Sequence, residues 1–200
     1  PDRQTGVLSG PSFADEVLAG LPAALTIAAQ TPAIIDAVQH SFANSNLRLY
    51  GNDDPIGVAV GGAMKNVIAI AAGCAVGLGL GDNAKAAILT RGVAEIARFA
   101  VAVGGRLESV YGLSGVGDLA LTCAGPHSRN MAYGMAIGAG LAPDTRLAEG
   151  RHTVAALTQR AATMGLELPI TNAVDRVINH GDNLHDVVTA LLARPTGKEG

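Results

Sequence analysis

The chain has 200 residues, 48% of them hydrophobic and 16% charged, with a formal net charge of −3. This length and apolar content suffice for a sizeable core, and the slightly acidic balance excludes a general attraction to nucleic acid or anionic membrane, so any anion site must be local. Cys74 and Cys123, the only cysteines, lie in apolar surroundings and are expected to be buried, reduced thiols in a cytoplasmic protein rather than a disulfide.

In chain order, residues 6–50 have a mixed texture. Val7-Leu8 and Ala24-Leu25-Thr26-Ile27 read as short strands, Ser12 to Ala19 as a short helix, Thr31-Pro32 as the N-cap and first residue of another, and Leu47-Arg48-Leu49-Tyr50 as a closing strand. From the turn cluster Gly51-Asn52-Asp53-Asp54-Pro55 onward the periodicity predicts helices only, over about 55–78, 83–104, 129–139, 151–164, 171–180 and 184–193. Gly181 suits a position just past a helix end and Pro195 a stop. There is no tandem repeat or low-complexity tract. The expected fold is mainly α, with a helical body over 51–200 preceded over 1–50 by the trailing edge of a Rossmann-type α/β domain.

The first of these helices carries the most informative residue, Lys65, in the middle of an apolar run from Gly57 to Leu80. A buried ammonium without a partner is costly, so this lysine either pairs with an acid or does chemistry. The run is long enough to span a membrane, but Lys65 and Asn66 interrupt it and glycine is dense, which favours a helix buried among protein helices. Gly57-Val-Ala-Val-Gly61 and Gly73-Cys-Ala-Val-Gly77 would permit close helix contact. Asp118 follows a glycine-rich turn, and Ser128-Arg129-Asn130 opens a helix with a hydroxyl, a guanidinium and an amide, a combination suited to phosphate. Simpler readings stand beside these: Lys65 in a structural ion pair with Asp118, Asp118 and Ser128 as helix caps, Asn66 as a hydrogen-bonding partner of a neighbouring helix, and Lys85 and Arg91 beside Asp82 and Glu95 as a solvated charged face. The five histidines lack metal-ligand spacing, and no metal is assigned. Gly77-Leu-Gly79-Leu-Gly81-Asp82 has the wrong spacing for a dinucleotide loop and reads as a helix terminus.

The runs Leu8-Ser9-Gly10-Pro11-Ser12-Phe13-Ala14-Asp15, Gly62-Ala63-Met64-Lys65-Asn66-Val67, Gly79-Leu80-Gly81-Asp82-Asn83, Thr90-Arg91-Gly92, Gly117-Asp118-Leu119, Thr122-Cys123, Ser128-Arg129-Asn130, Glu149-Gly150, Leu168-Pro169-Ile170 and Lys198-Glu199 together closely resemble bacterial NAD(P)-dependent glycerol-3-phosphate dehydrogenases. The resemblance implies interconversion of sn-glycerol 3-phosphate and dihydroxyacetone phosphate with NAD or NADP, supplying glycerol 3-phosphate for phospholipid synthesis. It implies Lys65 as general base, Asp118 as its orienting partner, and Thr122 and Asn66 completing the polar shell. Ser128, Arg129 and Asn130 would hold the phosphate, Gly10 and Ser12 would approach from the other side of the cleft, and the cofactor would be touched near Ala14, Arg129, Leu147 and Glu149. A possible homodimer is also implied. Because the chain begins with Pro1 and lacks G-x-G-x-x-G after a strand, it is read as the carboxy-terminal part of a longer enzyme, catalytically silent alone. A related dehydrogenase of 3-hydroxy acids sharing the Lys-Asn theme, and a non-catalytic helical dimerisation module, are the alternatives.

Overall fold

A computed structural model describes residues 4–144 and 148–195. The expectations placed on Leu147 and on Lys198-Glu199 lie outside the described residues.

The first fifty residues build a three-stranded sheet. Strands β1 (Val7–Ser9), β2 (Ala23–Ala28) and β3 (Leu47–Asn52) lie in that order, β1 antiparallel and β2 parallel to its neighbour β3, with Leu8 opposite Ile27 and Leu25 opposite Leu49. The short helix α1 (Ala14–Leu18) links β1 to β2, and α2 (Pro32–Ser41), with Pro32 in its first turn, forms the crossover that a parallel pair requires. The sequence placed all five elements to within about two residues, the usual latitude of helix and strand ends.

The rest of the described chain is helical: α3 (Pro55–Gly77), α4 (Gly81–Ala102), α5 (Leu107–Val110), a π-helical turn (Leu113–Gly117), α6 (Asp118–Thr122), α7 (Arg129–Gly138), α8 (Glu149–Thr163), α9 (Pro169–Asn179) and α10 (Leu184–Leu192). Helix α3 starts where it does because Asp54 caps it: the buried carboxylate accepts from the Gly57 amide at 2.9 Å and from the Arg106 amide at 2.7 Å, while Pro55 needs no donor partner in the first turn. It ends at Gly77, and Gly79 and Gly81 beyond it are both in the left-handed region at φ +72° and +83°, so the glycine cluster is the turn between α3 and α4, as its spacing implied.

Helix α3 is the axis of the core. Met64, Val67, Ile68, Ile70 and Ala72 are essentially fully buried against Ile96, Ala100, Met131, Val154 and Leu168 of the surrounding segments. It is long and apolar enough to cross a membrane by length and composition, but 67% of its most apolar window is buried inside this protein. Its closest partner is α7. A methyl group at Gly73 would meet the Met135 amide nitrogen at 2.9 Å and the Gly134 Cα at 3.0 Å, and one at Gly77 would meet the Gly138 Cα at 2.8 Å. Two glycine pairs of matching spacing, Gly73/Gly77 and Gly134/Gly138, thus bring the backbones of α3 and α7 into contact.

Two expectations are corrected here. The stretch 107–122, to which the periodicity assigned no helix, contains α5, the π-helical turn and α6, each too short to show a period. Glu95 does not stand on a solvated face: it is 2% exposed and accepts from the Ile170 amide at 2.6 Å, the Thr171 amide at 3.0 Å and the Thr171 hydroxyl at 2.8 Å, which ties the start of α9 to α4. Lys85 and Asp82 do form an outward ion pair, at 2.9 Å.

Candidate functional site

Lys65 and Asp118 come from helices 53 residues apart in sequence and meet directly, Nζ donating to Oδ2. The aspartate side chain is 5% exposed and the lysine 20%, so the pair is largely withdrawn from water, the carboxylate more than the amine's side chain. Burial pushes the Asp118 carboxyl above its usual range, against the opposing pull of Lys65 and Thr122. Thr122, one turn further along α6, donates its hydroxyl to the other carboxylate oxygen at 3.3 Å. Asp118 makes no capping bond of its own, so the cap reading fails and the ion-pair reading holds.

One residue along α3, Asn66 is buried in an amide network. Asn130 Nδ2 donates to Asn66 Oδ1 at 3.0 Å, the Gly150 amide donates to Asn130 Oδ1 at 2.9 Å, and Asn66 Nδ2 donates to Glu149 Oε2 at 3.3 Å. The Arg129 guanidinium stands 3.8 Å from the other oxygen of Glu149, and both side chains are more than half exposed. Ser128 is buried and caps α7, its Oγ accepting from the Met131 amide at 3.4 Å. The Gly73 and Gly77 contacts that press α7 onto α3 therefore also place Asn130 against Asn66 and leave Arg129 facing outward.

The amino-terminal segment closes the other side. Gly10 is buried at φ +147°, and a methyl group there would come within 2.9 Å of the Leu25 Cα. Ser12 folds its hydroxyl back on the Gly10 carbonyl at 3.1 Å, and Ala14 is exposed at the start of α1. Three contacts seat this segment. A methyl at Gly62 of α3 would lie 2.7 Å from Ser9 Oγ, one at Gly117 would touch Pro11 Cδ at 3.9 Å, and Phe13 stacks on His127 with ring centroids 4.0 Å apart. His127 also lies 3.0 Å from Asp15. The sequence reading passed over this clasp and the Gly150 amide; adjacency of His127 to Ser128-Arg129 was the only signal available for the first.

The structure thus joins Lys65, Asp118 and Thr122 in one cluster and Asn66, Asn130, Glu149 and Arg129 in another, the two starting from adjacent residues of α3, with Ser128 capping α7. A cavity of about 740 Å³ lies elsewhere: an apolar groove between α3, α4, α9 and α10 whose lining includes Ile70, Cys74, Ile88, Val174 and Val187 but none of these residues. The polar cluster is marked by its chemistry rather than by a cavity. Among the described residues, no group of three or more His, Cys, Asp or Glu side chains is placed to hold a metal ion, and both cysteines are buried free thiols whose burial pushes them up to about 12.

Residues 54–189 match the family model of the NAD-dependent glycerol-3-phosphate dehydrogenase C-terminus, and residues 1–35 match that of its N-terminus. The chain belongs to this family. It is 46% identical over 200 residues to the glycerol-3-phosphate dehydrogenase [NAD(P)+] of Cereibacter sphaeroides, covering 100% of this chain and 66% of that protein, and 49% identical to that of Cupriavidus taiwanensis, covering 97% and 59%. Among solved structures it is similar to the glycerol-3-phosphate dehydrogenase of Coxiella burnetii, with a TM-score of 0.90 and 37% identity over 94% of this chain and 60% of that one. The yeast enzyme from Saccharomyces cerevisiae gives 0.83 and 27%, over 94% and 59%. The chain spans about three-fifths to two-thirds of the length of these relatives.

Proposed function

We propose that this chain supplies the substrate-binding and proton-handling part of an enzyme that interconverts sn-glycerol 3-phosphate and dihydroxyacetone phosphate with NAD or NADP. In this reading residues 51–200 form the catalytic domain and residues 1–50 belong to the cofactor domain. One observation carries it: a proton-handling pair, Lys65 with Asp118, stands next in sequence and in space to an anion-suited set, Asn66, Asn130 and Arg129.

When bound, NAD or NADP exchanges hydride with the central carbon of the substrate; the rest is done by residues of this chain. Arg129, with Asn66 and Asn130, holds the phosphate by charge-assisted hydrogen bonds, and Ser128 holds the first turn of α7 in place by its cap. Lys65 Nζ meets the substrate oxygen. In the oxidising direction it takes the hydroxyl proton, and in the reducing direction the ammonium polarises the carbonyl and returns a proton. Asp118, fixed by Thr122, aims the amine from below. Gly10, Ser12 and Ala14, with Arg129 and Glu149, suit the nicotinamide end of the cofactor. Among the described residues no strand leads into G-x-G-x-x-G, so the chain's own donors make only part of that site. The reading includes a cytoplasmic enzyme that supplies glycerol 3-phosphate to phospholipid synthesis and forms a homodimer.

The test joins this chain to the preceding segment of the Cereibacter sphaeroides relative and follows oxidation of NADH or NADPH by dihydroxyacetone phosphate. Arg129→Ala is expected to cost roughly 2 kcal/mol in kcat/KM, about thirtyfold, and to shrink the preference for glycerol 3-phosphate over glycerol in the reverse assay. Unchanged preference would move the phosphate site away from Arg129.

A further inference from the structure

Glu149, the first residue of α8, brings its carboxylate to the donors that the proposed function reserves for the substrate phosphate. Oε2 accepts from Asn66 Nδ2 at 3.3 Å and Oε1 stands 3.8 Å from the Arg129 guanidinium. The aim of the Asn66 amide is set from the opposite side, because its oxygen is taken by Asn130 Nδ2, and Asn130 is itself oriented by the Gly150 amide. With that chain in place, Asn66 Nδ2 has to point at whatever anion occupies the Glu149 position.

The contact is built to be broken. The Glu149 side chain is 69% exposed and that of Arg129 57%, and ion pairs this wet are worth little. A phosphate dianion brings more charge and more acceptor oxygens to the same two donors, so it displaces the carboxylate.

We propose that Glu149 is an anionic place-holder for the substrate phosphate, an affinity-setting residue that holds Asn66 and Arg129 aimed and yields them when phosphate arrives. This rests on the phosphate reading above. While Glu149 occupies the donors it competes with the substrate, so the site is tuned to weaker binding than its donors alone would give.

The experiment titrates inorganic phosphate and, separately, glycerol 3-phosphate into the full 200-residue chain by calorimetry, at low and at high salt. It compares the unaltered chain with Glu149→Gln, Glu149→Asp and Arg129→Ala. Glu149→Gln removes the competing charge, and both anions should bind roughly three- to tenfold more tightly. Glu149→Asp keeps the charge but is one methylene too short to reach both donors, and should fall between the two. Equal dissociation constants for the unaltered chain and Glu149→Gln would overturn the place-holder while leaving the phosphate site standing. Tightening in Glu149→Gln with none in Glu149→Asp would also overturn it, since the effect would then be charge at a distance. Binding by Arg129→Ala equal to that of the unaltered chain, or no binding by any variant, would mean that the phosphate reading itself has failed, and this inference with it.

Discussion

Replacing Lys65 by methionine tests the candidate site through stability as well as turnover. Methionine suits an apolar helix, but the structure adds a cost that helix propensity does not register: Asp118, with a side chain only 5% exposed, keeps among the described residues no side-chain partner except the Thr122 hydroxyl at 3.3 Å. Stripping one member of a buried ion pair costs about 3–5 kcal/mol if the other stays ionised. Protonation offers an escape. From an ordinary value of 3.8 to pH 7 is about three pH units, and at about 1.4 kcal/mol each the ceiling on the destabilisation is about 4 kcal/mol. The direction follows from linkage. Without Lys65 the folded-state carboxyl is raised further above its unfolded value, so its contribution is fully present below about pH 3.8 and is lost as pH rises through the folded value. Urea unfolding followed by circular dichroism should therefore show a deficit for Lys65→Met at pH 8 that exceeds the deficit at pH 5 by at least about 1 kcal/mol. Adding Asp118→Asn should recover at least half of the loss at pH 8 while turnover in the joined enzyme stays about a hundredfold or more below normal. A deficit independent of pH, or a double variant as unstable as the single one, would refute the coupling. Near-normal turnover in Lys65→Met would remove the lysine from the chemistry.

Two further outcomes are expected. Gly134→Ala puts a methyl 2.9 Å from the Ile70 carbonyl carbon and 3.0 Å from the Cys74 amide nitrogen, backbone atoms that cannot swing aside, so it should cost roughly 1–3 kcal/mol in thermal melts and weaken phosphate binding by shifting Arg129 and Asn130 on the same helix; Gly125→Ala, with no atom within 4 Å, is the near-neutral control, and equal melting temperatures for the two would remove the α3–α7 contact from the argument. Glu95→Gln should cost roughly 1–3 kcal/mol at pH 7 by setting an amide against the donors of Ile170 and Thr171, and, because burial raises the Glu95 carboxyl from 4.5, the unaltered chain should gain on the variant as pH falls toward 4.5; a gap that narrows on acidification would contradict that direction.

Much of this molecule was legible before any coordinate. The strands of residues 7–52 and the six longer helices announce themselves because their signals are local: alternation of two for the strands, a period near 3.6 for the helices, proline at the first turn of α2 and α3, and glycine at the turn after α3. The residue types of the site were legible too, since a lysine in an apolar run asks for a buried acid and Ser128-Arg129-Asn130 opens a helix with donors. Helices α5 and α6 were not, because four or five residues show no period and tertiary contact holds them: a methyl at Gly115 would sit 2.9 Å from the Val110 Cα, and one at Gly61 would lie 2.9 Å from the Ser114 carbonyl oxygen.

What the sequence determined by itself is the set of elements and the kinds of group available to them, since backbone hydrogen bonding and side-chain periodicity repeat within a few residues. What only the tertiary structure decided is which groups meet. Glu95, one turn after Arg91, looks like half of a solvated pair until α9 docks its first amides onto it. Asn66, Asn130 and Glu149 are separated by 64 and 83 residues from one end of their network, and they touch because α7 packs on α3 at glycines that carry no side chain to keep the backbones apart. Spacing along a chain records nothing of such a crossing, because the distance between two helices is set by the side chains at their contact and by what is missing there.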